Sequence, residues 1–226
     1  MINVLGFILL TILMYLGAKK LYERFPFPFT LPILVSTFCM VIILVLAGIP
    51  YETYYSGGRW IELLLGPAVV ALAYPLYRQM KMLKEHLYSI IISVSVGAMV
   101  GMLSGLLLAM MLGIDKELIF SLIPKSVTTP VAMDVALAIG GIPPLAAVFV
   151  MVAGIGGAVL SPYVYKWFKI KNEIGKAIGI GCASHAIGTA KVLENSESQG
   201  AASSIAMTIS AVIVSIIGPV LVIIFY

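Results

Sequence analysis

Four stretches of this chain run without a single Asp, Glu, Lys or Arg for longer than a bilayer is thick: Phe25 to Tyr51, Leu87 to Ile114, Val135 to Tyr165 and Ser198 to Tyr226. About 20 residues of helix cross a hydrocarbon core of ~30 Å. Inside that core every backbone N–H and C=O must be paired within the protein, which a helix does by itself. The composition agrees: 61% of the 226 residues are hydrophobic and 11% are charged, against roughly a quarter charged in a soluble domain. The expected fold class is therefore an all-α polytopic membrane protein with about seven to eight hydrophobic segments.

The net charge of +4 comes from 14 basic and 10 acidic residues, and the basic ones cluster in short loops. That pattern belongs to cytoplasmic loops and points away from nucleic acid. Cys39 and Cys182 lie in apolar or small-residue surroundings and read as unpaired small hydrophobes, with no disulfide or metal pair. At the N-terminus the apolar run precedes Lys19, Lys20 and Arg24, the reverse of a cleaved signal peptide, so a retained first helix is expected.

The segments read as helices at 3–18, 30–48, 60–77 and 87–112, short helices at 118–123 and 130–139, a long helix at 143–168, a polar segment at 174–192, and a last helix at 201–225 kinked near Gly218 and Pro219. In the fourth helix Ser93, Gly97, Gly101 and Gly105 recur every four positions, a stripe that reads as a close-packing face. Lys19, Lys20 and Arg24, then Arg78, Lys81 and Lys84, place both clusters in the cytoplasm. Lys166, Lys169, Lys171 and Lys176 join them only if the region 117–141 enters and leaves from one side. Broken or re-entrant helices are expected there. A weak echo relates the runs starting at Gly66 and Thr129, and those starting at Glu117 and Glu173, as inverted repeats would.

Lys125 to Gly141 sets hydroxyls, a proline and one acid in membrane-like surroundings, where such groups persist only if protein or water satisfies them. Thr128, Thr129 and Pro130 spell a helix start: a hydroxyl to cap free N–H groups and a proline suited to the first turn. Within the membrane such a start favours an anion, helped by Ser126, Thr128 and Thr129; at the surface it is only a capped helix end. Asp134 lies one turn beyond Pro130 and is a candidate for binding a proton or coupling ion, or for a structural pair with Lys125 or Lys191.

Ser184 and His185, followed by Gly188 and Thr189, form the facing polar segment. His185 could protonate with an acidic cargo, or serve as a hydrogen-bonded packing group. A triad of Ser184, His185 and Asp134 is rejected, because adjacent helical residues do not face each other and no G-x-S-x-G elbow exists. The reading implies no enzyme, catalytic residue, metal or cofactor. Arg59 and Glu62 are expected to form an interfacial ion pair.

At L-G-P-A-V-V-A-L-A-Y-P-L-Y from Leu65, S-V-T-T-P-V-A-M-D from Ser126, G-G-I-P-P-L-A-A-V-F-V from Gly140 and S-H-A-I-G-T-A-K from Ser184, the chain resembles the LrgB/CidB family, which includes a plastid glycolate/glycerate transporter. The resemblance implies a single integral membrane domain, with 1–58 as N-terminal helices for scaffolding or dimerisation and 59–226 as the LrgB-like transport core. It also implies one of two activities in the plasma membrane. One is transport of a small carboxylate anion such as glycolate, lactate or pyruvate, with Ser126, Thr128, Thr129, Pro130, Ser184 and Thr189 binding substrate and Asp134 or His185 carrying a proton. The other is holin-like control of murein hydrolase export and autolysis with a small LrgA/CidA-type membrane partner.

Overall fold

The computed structural model describes residues 2–71 and 73–226; Met1, and Leu72 within the expected third helix, lie outside the described residues. The chain forms two compact units, Met1–Ala73 and Tyr74–Tyr226.

The first unit contains α1 (Ile2–Arg24), a 3-10 turn (Pro28–Thr30), α2 (Pro32–Leu46), α3 (Tyr51–Glu62) and α4 (Leu65–Ala71). The charge-free run from Phe25 to Tyr51 does not become one long helix: prolines at 26, 28 and 32 delay the start, and α2 has 15 residues, about 22 Å at 1.5 Å per residue. The expected single helix over 60–77 is also corrected. A helix begins earlier, at Tyr51, and breaks after Glu62 before resuming at Leu65. The early start packs α3 on α1, where Gly57 is so close that an added Cβ would lie 2.8 Å from both Phe7 Cβ and the Val4 carbonyl. Nor do Arg59 and Glu62 pair: Glu62 accepts from the Tyr55 hydroxyl at 2.7 Å, and the Arg59 guanidinium stands 5.7 Å over the Trp60 ring. An exposed ion pair is worth too little to outcompete such neighbours.

From Tyr74 the second unit continues through the end of α5 (Ala73–Arg78) into α6 (Met80–Met111), α7 (Lys116–Leu122), α8 (Thr129–Ala138), α9 (Pro143–Trp167), α10 (Glu173–Asn195) and α11 (Glu197–Phe225). Among the described residues, four helical stretches are long and apolar enough to cross a membrane: Val4–Arg24, Leu83–Met111, Pro143–Trp167 and Glu197–Phe225. The protein is a multi-pass helical membrane protein.

Between the long helices the chain twice folds back on itself. With 7 and 10 residues, α7 and α8 reach only about 10 and 15 Å. They form a hairpin, because the Ile142 N–H, just beyond α8, donates to Ser121 Oγ in α7 at 2.7 Å. Gly140 ends α8 with φ of 84°, a backbone that a side chain would oppose. Replacing Ser121, which is fully buried, with Ala leaves that N–H without its partner; a loss of about 1–3 kcal/mol is expected, read as a lower melting temperature in detergent.

The second reversal lies inside α10, whose helical geometry breaks at His185 (φ 41°, ψ −128°). In a straight helix residues 180 and 188 would stand about 12 Å apart; here a Cβ on Gly188 would be 2.6 Å from Ile180 Cγ1. Residues 173–184 and 186–195 are thus the arms of a second hairpin. Each hairpin has its own apolar surroundings. Ile119, Ile123, Val127 and Ala136 of the first pack with the C-terminal half of α6, Val150 of α9 and Val214 of α11. Ala177, Ile178 and Cys182 of the second pack with Ile90 and Val94 of α6 and Ala201 to Ala206 of α11. In lipid these contacts act through close packing, since hydrocarbon offers the same side chains an equally apolar solvent.

Polar links fix the ends. Arg78, before α6, pairs with Glu197 at 3.2 Å; Gln199 donates to Glu173 at 2.7 Å; Lys176 pairs with Glu173 at 2.7 Å; and the Tyr165 hydroxyl donates to the Lys176 carbonyl at 2.8 Å. The start of α6, the end of α9 and the mouth of the second hairpin therefore share one end of this unit. The first hairpin opens from the other, since α6 leads into it through Asp115.

Candidate functional site

The two hairpin tips dock on the glycine-rich faces of the long helices that precede them. At the first tip Lys125 Nζ donates to the Gly101 carbonyl of α6, and Ser126 Oγ stands 3.4 Å from where a Cβ on Gly101 would be. At the second, His185 Nε2 donates to the Val150 carbonyl of α9 at 3.1 Å. The ring occupies the space a Cβ on Gly154 would take, 2.6 Å from Nε2, and Ser184 Oγ fills the corresponding space at Gly157. On the return arm Lys191 Nζ donates to the Ala158 carbonyl at 3.1 Å.

Between α6, the first tip and the outgoing arm of the second hairpin lies a cavity of about 350 Å³. Its walls are Ser93, Gly97, Val100 and Gly101 of α6, Ser126, and Gly175, Ile178, Gly179, Cys182 and Ala183 of α10. Gly97 is the central residue of the 29-residue apolar stretch Leu83–Met111, so the cavity sits at mid-height of that helix. At about 30 Å³ per water, it holds a ligand of a few heavy atoms with part of its hydration.

Among the expected site residues, Ser126 lines this cavity. Thr128 and Thr129 are half-buried and Pro130 is exposed. The helix start falls where expected, with Thr128 as N-cap and Pro130 in the first turn, but the Thr128 hydroxyl makes no capping hydrogen bond, which corrects that part of the reading. Asp134 is exposed on α8 and is outside the cavity wall. It pairs with neither Lys125 nor Lys191; the ion pairs among the described residues are Arg78–Glu197 and Lys176–Glu173. Thr189 is buried, donating to the His185 carbonyl at 2.7 Å and sharing a 2.8 Å hydrogen bond with Ser203 Oγ, so it ties the second hairpin to α11. Ser184 Oγ and His185 Nδ1 are buried without a hydrogen-bond partner. Cys39 and Cys182 are free.

His185 is held in a conformation that suits the first central residue of a type II′ turn, a position glycine favours. A non-glycine residue there costs about 1–3 kcal/mol and stays only where its surroundings hold it. Docking of the imidazole between Val150 and Gly154 supplies that hold. It follows that His185→Gly is expected to be more stable than His185→Ala by about 1 kcal/mol, the opposite of the helix-interior order. Melting temperatures of the two purified variants decide it.

Most of the cavity wall was invisible to residue-by-residue reading. The stripe Ser93, Gly97, Gly101 and Gly105 was legible as a face where helices approach closely, and Gly105 does abut Lys125. The same spacing serves a face that leaves a gap, so only the partner distinguishes the two.

Fold and site together define a multi-pass helical membrane protein with a small, partly open cavity between two opposed hairpins. Residues 11–224 match the model of the LrgB-like family, and the chain belongs to that family. It is 48% identical over 219 residues to the uncharacterized protein YxaC of Bacillus subtilis (strain 168), covering 97% of this chain and 95% of that one. With YwbG of the same organism it shares 42% over 212 residues, 94% of each chain. The holin-like protein CidB of Staphylococcus aureus (strain N315) is 36% identical over 225 residues, 100% of this chain and 98% of that one. No solved structure matches.

Proposed function

We propose that the protein is a secondary transporter of small monocarboxylates of the glycolate, lactate or pyruvate type in the plasma membrane, working by alternating access between two inverted repeats. The observation that carries this reading is the pair of hairpins entering from opposite ends of α6 and converging beside a cavity at its mid-height. Two re-entrant elements of opposite direction are what an inverted-repeat transporter needs to expose one site to either side in turn. The positive charges support the same topology: Arg78, Lys81 and Lys84 before and within the start of α6 share an end with Lys166 to Lys176, which the positive-inside rule makes cytoplasmic.

The Ser126 hydroxyl provides a donor for a carboxylate, and Thr128, Thr129 and Pro130 form the helix start just behind it. His185 is the stronger candidate for the coupling proton, being buried at a hairpin tip with Nδ1 unpartnered; Asp134 faces outward one turn past Pro130. Uptake of labelled glycolate, lactate and pyruvate into proteoliposomes, with and without a pH gradient, tests the reading. Absence of saturable uptake of all three by folded protein would overturn it.

A second reading, a holin-like regulator of murein hydrolase activity acting with a small LrgA/CidA-type membrane partner, is supported by the full-length similarity to holin-like CidB. Dye leakage that requires the co-expressed partner, without selective uptake, would favour it.

A further inference from the structure

Lys125 is the one charged group at the tip of the first hairpin, and its surroundings are unusual for an ammonium. It is half-buried. Its Nζ donates to the Gly101 carbonyl, which accounts for one of its three N–H donors. No carboxylate of the described residues lies within 4 Å of it, because the acidic partners in ion pairs are Glu197 and Glu173, which bind Arg78 and Lys176. A charge in a low-dielectric setting is costly without an opposite charge.

The cavity opens about one helical turn along α6 from this ammonium, and Lys125 is not itself among the residues of its wall. Gly101, whose carbonyl it holds, and Ser126, the next residue in the chain, both line the wall. Lys125 itself lies one helical turn along the same stripe, against Gly105. The cavity wall contains no charged side chain: two serines, a cysteine, and otherwise glycine, alanine, valine and isoleucine.

We propose that Lys125 is the counter-charge of the cavity, binding the carboxylate of a small monoanion together with the Ser126 hydroxyl, so that this residue decides anion over neutral solute. The proposal rests on the monocarboxylate reading above and assigns its charge selectivity to one residue. The physical reason is reciprocal compensation: the anion supplies the charge that the ammonium lacks, and the ammonium's two remaining donors supply the hydrogen bonds that a carboxylate loses on leaving water. The rest of the wall is neutral and small, so it limits size and leaves charge to Lys125.

The test uses the purified full-length protein, with lactate, pyruvate and glycolate and the uncharged amides lactamide, pyruvamide and glycolamide as probes, in thermal-shift and competition binding. Wild type is expected to bind at least one of the acids and to discriminate against its amide. K125M is expected to lose about 10- to 100-fold in affinity for that acid, with acid and amide then bound alike, while K125R keeps the preference. If K125M binds the acid as wild type does, the assignment of Lys125 is overturned and the transport reading stands. If wild type binds none of the acids, the reading and the assignment fall together. Should K125M not fold, amine-reactive labelling of wild type reads the same point: saturating acid is expected to slow modification of Lys125 severalfold and leave Lys176 unchanged. Equal labelling of Lys125 with and without acid overturns the assignment.

Discussion

Gly154→Val is expected to yield protein that no longer holds the second hairpin in place, with a loss of at least about 3 kcal/mol, the upper end of what overpacking costs. A Cβ at this position would stand 2.6 Å from His185 Nε2, 2.7 Å from its Cε1 and 2.9 Å from Ile187 Cδ1. His185 cannot step aside cheaply. Its backbone is already in a conformation that L-residues avoid, and its ring is anchored to the Val150 carbonyl at 3.1 Å. Two residues further on, the expectation reverses. Gly156 has nothing within 4 Å of an added Cβ, so Gly156→Ala is expected to be neutral or to gain up to about 1 kcal/mol from helix propensity. Melting temperatures of the two variants in one detergent check both. A Gly154→Val protein as stable as wild type would mean that the second hairpin does not dock as described.

On the proposed transport reading, Gly97→Leu is expected to reduce uptake by more than about 100-fold while leaving a folded protein, because Gly97 lines the cavity from the middle of α6. A Cβ there meets Cys182 Cβ and Sγ at 3.6 Å, an ordinary contact, so Gly97→Ala is tolerated sterically and removes little volume. A leucine extends beyond that contact into the open space and competes with any ligand for it. Uptake should therefore fall in the order Gly, Ala, Val, Leu at position 97, with melting temperatures changing less than transport. A Gly97→Leu protein that transports as well as wild type would place the route elsewhere. The size of the effect follows from excluding the substrate from its position, where each 1.4 kcal/mol of lost binding is about a factor of ten.

The two cases show where reading the chain works and where it stops. Long apolar runs are legible because lipid imposes one solution on the backbone, so α9 and α11 were expected within a few residues of where they lie, while α6 ends where expected but starts at Met80, two turns before the expected Leu87. The break before Thr129 was legible too, since Pro130 after two threonines can start a helix but not continue one. The break at His185 was not: no proline marks it, and the conformation it adopts would ordinarily be assigned to glycine. Surroundings, and not local preference, hold it there. Of the two roles open to Asp134, the structural pair with Lys125 or Lys191 is not formed, for a related reason. Charge complementarity says which groups could meet, while the register of α8 turns Asp134 outward and leaves Lys125 on α6.

By itself, then, the sequence determined that this is a membrane-embedded helical protein with polar interruptions at Lys125 to Gly141 and around His185, because solvation of the backbone in hydrocarbon admits few alternatives. Only the tertiary structure decided that each interruption is a reversal of the chain, that the reversals enter from opposite ends of α6, and that glycines of identical local sequence preference divide into those that carry a docked hairpin tip, those that line a cavity and those that touch nothing. The physical reason is that a helix fixes where its own side chains point, while contacts between distant segments decide what each of them meets.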